Sequence, residues 1–106
     1  MKIWLDDLRP APSGYQWCKS VNQAINEIET RELMVRKSGH DFYKVELIDC
    51  DHDLGEYAVD GGDGIKLLDW LEATGRNYPI RIHTMNPVGR ENMRAVIRHN
   101  NWEEVI

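Results

Sequence analysis

The chain has 106 residues, 42% of them hydrophobic and 29% charged, and a formal net charge of −5. That length suits one domain around one core, and no stretch approaches the roughly 20 apolar residues of a membrane span. The acidic balance argues against extended, backbone-driven nucleic-acid binding, which needs a basic surface, but it leaves room for a small phosphorylated ligand bridged to carboxylates by a divalent cation.

Lys2 to Leu5 is a short apolar run that stops at Asp6 and Asp7. It reads as a buried first strand with a carboxylate pair at its C-terminal end. It is not the apolar core of a signal peptide, so a cytoplasmic location is expected. Arg9 to Gly14, with two prolines and a glycine, reads as a loop. Ser20 and Gln23 suit a capping box. Val21, Ala24, Ile25 and Ile28 then share one helical face, and the helix is expected to end near Glu29. Thr30 to Tyr43 is ambiguous: Leu33, Met34 and Val35 fit a helix end or a short strand, and Ser38 to Asp41 reads as a turn.

Val45 to Ile48 is β-prone and runs into Asp49-Cys50-Asp51-His52-Asp53, a second strand with a second acidic end. Gly55 to Gly64 is expected to be a loop. Asp63 is placed to cap a helix carrying Ile65, Leu67, Leu68, Trp70 and Leu71. Ile80 to Thr84 is a third strand. Asn86-Pro87 opens a helix with Met93, Val96 and Ile97 on its apolar face, and Trp102 to Ile106 suits a last edge strand. Cys18 and Cys50 have neither a CxxC nor a zinc spacing and are expected to be packed thiols.

Strands alternating with helices favour βαβ units and a parallel sheet. Ligands of such sheets sit beyond the strands' carboxyl ends. Asp6 and Asp7, Asp51 to Asp53, and Thr84 to Asn86 should therefore meet at one edge. Carboxylates brought close oppose one another's ionisation, and a hard cation such as Mg2+ or Mn2+ relieves that conflict. Asp6, Asp7 and Asp51 are the expected metal ligands. Asp51, His52 and Asp53 are the candidates for chemistry, with His52 between two acids suited to moving a proton. Helix capping and solvated loop charge would explain either acidic pair alone, but not both at equivalent strand ends. An EF-hand loop is rejected because Gly55 and Gly62 stand where oxygen ligands should be.

His83 to Arg90 is the third feature. A helix start after a strand offers N–H groups and a positive dipole end to an anion. His83, Thr84, Asn86 and Arg90 are the expected phosphate or substrate contacts from this segment. Arg9 is a further candidate, either for a phosphate or as a partner of Asp7 or Asp53.

Leu5 to Pro10, Asp51 to Gly55 and His83 to Gly89, in that order, resemble the cyclic-phosphate-processing receiver domains, a branch of the response-regulator receivers. The resemblance spans about Met1 to Val96 and implies a small receiver-like (flavodoxin-like) three-layer α/β sandwich with a mostly parallel central sheet, with residues 1–106 expected to form this single domain. It matches Asp6 and Asp7 to the receivers' acidic pair, Asp51 to the phosphoacceptor and Thr84 to the hydroxyl position. It implies action on a cyclic phosphate of a nucleotide or an RNA end. The tail from Trp102 to Ile106 has no counterpart of the receivers' lysine, which argues against conventional phosphorylation signalling. Three functions follow as expectations. The first is a metal-dependent phosphoesterase, with Asp51 as metal ligand or nucleophile. The second is a module that binds a phosphorylated ligand without turnover. The third is a degenerate receiver working through protein contacts.

Overall fold

Four short segments become strands in the computed structural model, which describes residues 1–106. They are β1 (Lys2–Leu5), β2 (Tyr15–Cys18), β3 (Leu47–Cys50) and β4 (Ile80–Ile82). All pair in parallel, in the order β2-β1-β3-β4. Ile3 lies opposite Gln16 and Ile48, and Trp4 lies opposite Trp17 and Asp49. Side chains alternate across a pleated sheet. One face therefore carries Ile3, Leu5, Ile48, Cys50, Ile80 and Ile82, and all six are buried.

Three helices cover that face: α1 (Val21–Ser38), α2 (Ile65–Ala73) and α3 (Pro87–His99). The steps β2-α1-β3 and β3-α2-β4 both move in one direction across the sheet. Right-handed crossovers then put their helices on the same side. Val21, Ala24 and Ile28 of α1, Leu67, Leu68 and Leu71 of α2, and Met93 and Ile97 of α3 join the strand residues in one core. Each fully buried Leu or Ile contributes about 1.5–3 kcal/mol.

The step from β1 to β2 runs the other way, so its connection belongs to the opposite face. That connection is the proline-containing segment from Asp6 to Gly14, not a helix. It lies against the second face, where the Trp4 indole N–H donates to the Arg9 carbonyl at 2.8 Å. The α/β receiver (flavodoxin-like) arrangement is present, with a loop supplying the third layer.

Ser20 caps α1 by accepting from the Gln23 N–H. The helix continues past the expected end near Glu29 to Ser38 and stops at Gly39, whose φ of 71° suits glycine. Nothing between Thr30 and Ser38 breaks a helix, and Arg31 pairs with Glu27 one turn back at 2.8 Å. The helix overhangs the shorter strands, leaving Leu33 exposed. Asp63 does not cap α2, contrary to the expectation from the sequence. Gly64 is the cap residue with no side-chain bond, and Asp63 accepts from the Leu54 N–H at 3.1 Å. The tail adds a single parallel bridge, Glu104 beside Ile80, rather than a full strand. Both cysteines are free and buried, and burial pushes the Cys18 thiol up to about 12. No helix is long and apolar enough to cross a membrane.

Candidate metal and phosphate site

The apolar runs of β1, β3 and β4 end at the same edge of the sheet, and each is followed by polar residues. Hydrogen bonds carry the pairing slightly past the strands: Asp51 N–H to the Leu5 carbonyl at 2.8 Å, and His83 N–H to the Cys50 carbonyl at 3.0 Å. Parallel pairing thus brings Asp6, Asp51 and His83 together. One ligand atom from each lies within 4.8 Å of the others.

Asp6 is buried. Its Oδ1 accepts from the Leu8 and Arg9 N–H groups, both at 2.9 Å, a local turn that fixes the carboxylate. Its Oδ2 lies 2.9 Å from His83 Nε2. Asp51 Oδ1 accepts from the His52 N–H at 2.8 Å, leaving Oδ2 for another partner. Asp7, expected as a third carboxylate ligand, stands outside the Asp6, Asp51 and His83 group but close enough to feel both of its acidic charges. Burial first, then the charges of Asp6 and Asp51, push its carboxyl above the ordinary value of 3.8. A methyl group at Gly55 would lie 2.6 Å from Asp7 Oδ2, and Gly55 has a φ of +55°. Glycine is favoured there by conformation, and a side chain would push the Asp7 carboxylate aside.

The crowding of Asp6, Asp7 and Asp51 is the condition that a hard divalent cation relieves, so these residues fit the metal that the receiver fold implies. A second group, His52, Asp53 and Asp63, also places one donor atom each within 4.8 Å. His52 Nδ1 lies 2.8 Å from Asp53 Oδ1. That hydrogen bond, ahead of one from Asn86, holds the Asp53 carboxyl below its ordinary range. The imidazole lies directly on α3, where a methyl group on Gly89 would be 2.5 Å from His52 Cγ.

The remaining sequence candidates divide by what they touch. Thr84 is buried, and its hydroxyl accepts from the Asn86 N–H at 3.2 Å. Asn86 caps α3 through the Gly89 N–H at 2.9 Å and donates to both Asp53 oxygens. Pro87 has no N–H, so the second residue of α3, Val88, has the first N–H of this terminus without an intrahelical partner. Arg90 donates to the Thr84 carbonyl at 2.5 Å. Arg9 reaches towards the end of β4, 3.5 Å from the His83 carbonyl, and pairs with neither Asp7 nor Asp53.

A cavity of about 300 Å³ opens beside His83 and is lined by Arg81, Arg90, Arg94 and Glu104. Another, of about 570 Å³, lies at the opposite end of the strands near Glu32 and Arg76. Two of its charges are committed to each other: Arg76 donates to Glu32 from Nε at 3.1 Å and from a terminal nitrogen at 2.9 Å, and Tyr78 donates to the same carboxylate.

Sequence reasoning missed Asp49. It is wholly buried on the second sheet face, bonded to His83 Nδ1 at 2.7 Å and to Arg81 at 3.0 Å. Trp4 stacks on the His83 ring, with centroids 3.9 Å apart and planes 5° from parallel. A signal was present in the alternation Ile80-Arg81-Ile82-His83, which aligns both polar side chains on the face that Asp49 shares.

Compared with known protein families, the chain matches the cyclic-phosphate processing receiver domain over residues 1–99. No curated protein and no solved structure matches it.

Proposed function

The chain belongs to the cyclic-phosphate processing receiver domains, and on that premise we propose that it is a cation-dependent phosphoesterase acting on a cyclic or terminal phosphate of a nucleotide or RNA end. The observation that carries the proposal is the convergence of Asp6, Asp51 and His83 donor atoms within 4.8 Å at three strand ends. The Asp7 carboxyl, raised by burial and then by the charges of Asp6 and Asp51, is in keeping with it.

Asp6, Asp7 and Asp51 would hold Mg2+ or Mn2+, which when bound supplies Lewis-acid polarisation of the phosphoryl group. Asp53 holds the His52 ring through Nδ1, leaving Nε2 to take up or release a proton. Because the Asp53 carboxyl is held low, it stays ionised and keeps that orientation across the neutral range. Arg90, tied to the Thr84 carbonyl, places its guanidinium at the mouth of the arginine-lined cavity, where it suits phosphate oxygens. The Val88 N–H at the start of α3 is a further donor for an anion.

The test is incubation with a 2′,3′-cyclic nucleotide and Mg2+ or Mn2+, following the opened product. Turnover that disappears in Asp51→Asn is expected. Tight binding with the nucleotide recovered intact would overturn catalysis and identify a sequestering module.

A further inference from the structure

His83 is held more firmly than a residue waiting for a phosphate needs to be. The Asp49 carboxylate accepts hydrogen bonds but does not donate them, so the 2.7 Å contact puts a proton on His83 Nδ1. Arg81 binds the other Asp49 oxygen at 3.0 Å. Trp4 fixes the plane of the ring by stacking. These contacts leave Nε2 facing Asp6 Oδ2 at 2.9 Å within the Asp6, Asp51 and His83 group, where a ring proton bridges the two without a cation and a bound ion would take that proton's place.

A metal-ligating histidine commonly donates its other ring N–H to a carboxylate, which sets the tautomer and the orientation. Asp49, His83 and Asp6 have that arrangement. We propose that His83 Nε2 is a cation ligand alongside Asp6 and Asp51, and that Asp49 is its positioning residue. The site is then a mixed nitrogen–oxygen one. It favours first-row transition ions such as Mn2+ and Zn2+ over Mg2+, which takes oxygen ligands. The inference rests on the metal-dependent reading above and changes which ion that reading calls for.

The test uses the full chain with metal alone. Thermal shift titrations with Mg2+, Mn2+ and Zn2+ give apparent affinities, and pulsed EPR of the Mn2+ form reads directly bonded nitrogen. The expected results are a nitrogen coupling and a preference of at least about tenfold for Mn2+ or Zn2+ over Mg2+. His83→Gln should abolish the coupling and most of that preference while Mg2+ still stabilises the fold. Asp49→Asn should weaken Mn2+ binding by about 10–100-fold and leave Mg2+ binding little changed, a split that loss of packing alone does not produce. If no cation stabilises the protein, the metal reading itself fails. If cations bind but Mn2+ shows no nitrogen coupling, only the role of His83 fails. Should His83→Gln not fold, the nitrogen signal of the unaltered protein decides.

Discussion

Gly64 offers the sharpest test of how the site is built. It precedes α2 with φ −55° and ψ −30°, which any residue adopts, so its conformation is not the constraint. Space is. A Cβ there would lie 1.9 Å from the Asp51 carbonyl oxygen, and opening that gap to 3.0 Å, below which Cβ contacts are essentially absent, needs about 1.1 Å of movement. The Cβ is fixed in place by its own backbone and the Asp51 oxygen is backbone, so no flexible side chain can swing away. The Gly64 N–H also donates to the His52 carbonyl at 2.7 Å, and the shift would strain that bond. Overpacking of this kind costs about 1–3 kcal/mol, and at a backbone contact the upper value is expected. With an m-value of about 1.5 kcal/mol/M, Gly64→Ala should lower the urea midpoint by roughly 2 M. On the phosphoesterase reading, a displacement near 1 Å at the end of β3 should also cost about 100-fold in turnover. Gly75→Ala is the control. Gly75 has φ +69° but nothing within 4 Å of its Cβ position, so it should cost only the left-handed penalty of about 1–2 kcal/mol. If Gly64→Ala lowers the urea midpoint no further than Gly75→Ala does, the argument from close approach is refuted.

Gly89→Ala places a methyl group on the His52 ring, and this side chain can rotate away from Asp53. Helix propensity returns about 1 kcal/mol, so thermal stability should stay within a few degrees while turnover falls more than about tenfold; equal turnover would remove His52 from the mechanism. Asp7 has a raised carboxyl, so its ionised form opposes folding and stability is gained as pH falls through its folded-state value. Asp7→Asn should therefore raise the melting temperature in chelator at neutral pH and reduce the further rise on adding Mn2+, both read by calorimetry. Glu32 is the opposite case. The Arg76 hydrogen bonds hold it below its ordinary 4.5, so its contribution is present above the unfolded value and lost as pH falls through the folded one. Glu32→Gln should cost about 1–3 kcal/mol at neutral pH, and urea titrations should show that difference shrinking in acid; a constant difference would contradict the pairing.

The acidic strand ends were legible because two physical signals coincide there. An apolar run of strand length stops abruptly, and aspartates follow at once. Asn86-Pro87 was legible for a similar local reason, a cap residue followed by a proline without an N–H. β2 was hidden because Tyr15-Gln16-Trp17-Cys18 pairs only on one side, at the edge of the sheet, where its burial is partial. The length of α1 was hidden because its last half overhangs the sheet and carries no apolar stripe to count. Asp63 looked like a cap by spacing alone. The Leu54 N–H, brought up by the turn after β3, takes its carboxylate instead.

Asp49 was illegible for a different reason: its partners come from strands far away in sequence, and only the parallel register places Trp4 and Arg81 on either side of it. That register also explains the polarity of the second sheet face. A helix on that face would need apolar residues beneath it, yet the positions facing outward from β1, β3 and β4 include Trp4, Asp49, Arg81 and His83. A buried Asp49–His83 pair, reached by the exposed Arg81 from outside, gains little for stability alone, because removing one partner from a buried pair costs about 3–5 kcal/mol whereas apolar replacement of the whole is often neutral. The pair touches the strand-end site directly through His83 and Asp6. Its place in the chain is thus better accounted for by holding one imidazole against the acidic cluster than by packing the sheet, and the loop from Asp6 to Gly14 is the covering that such a polar face permits.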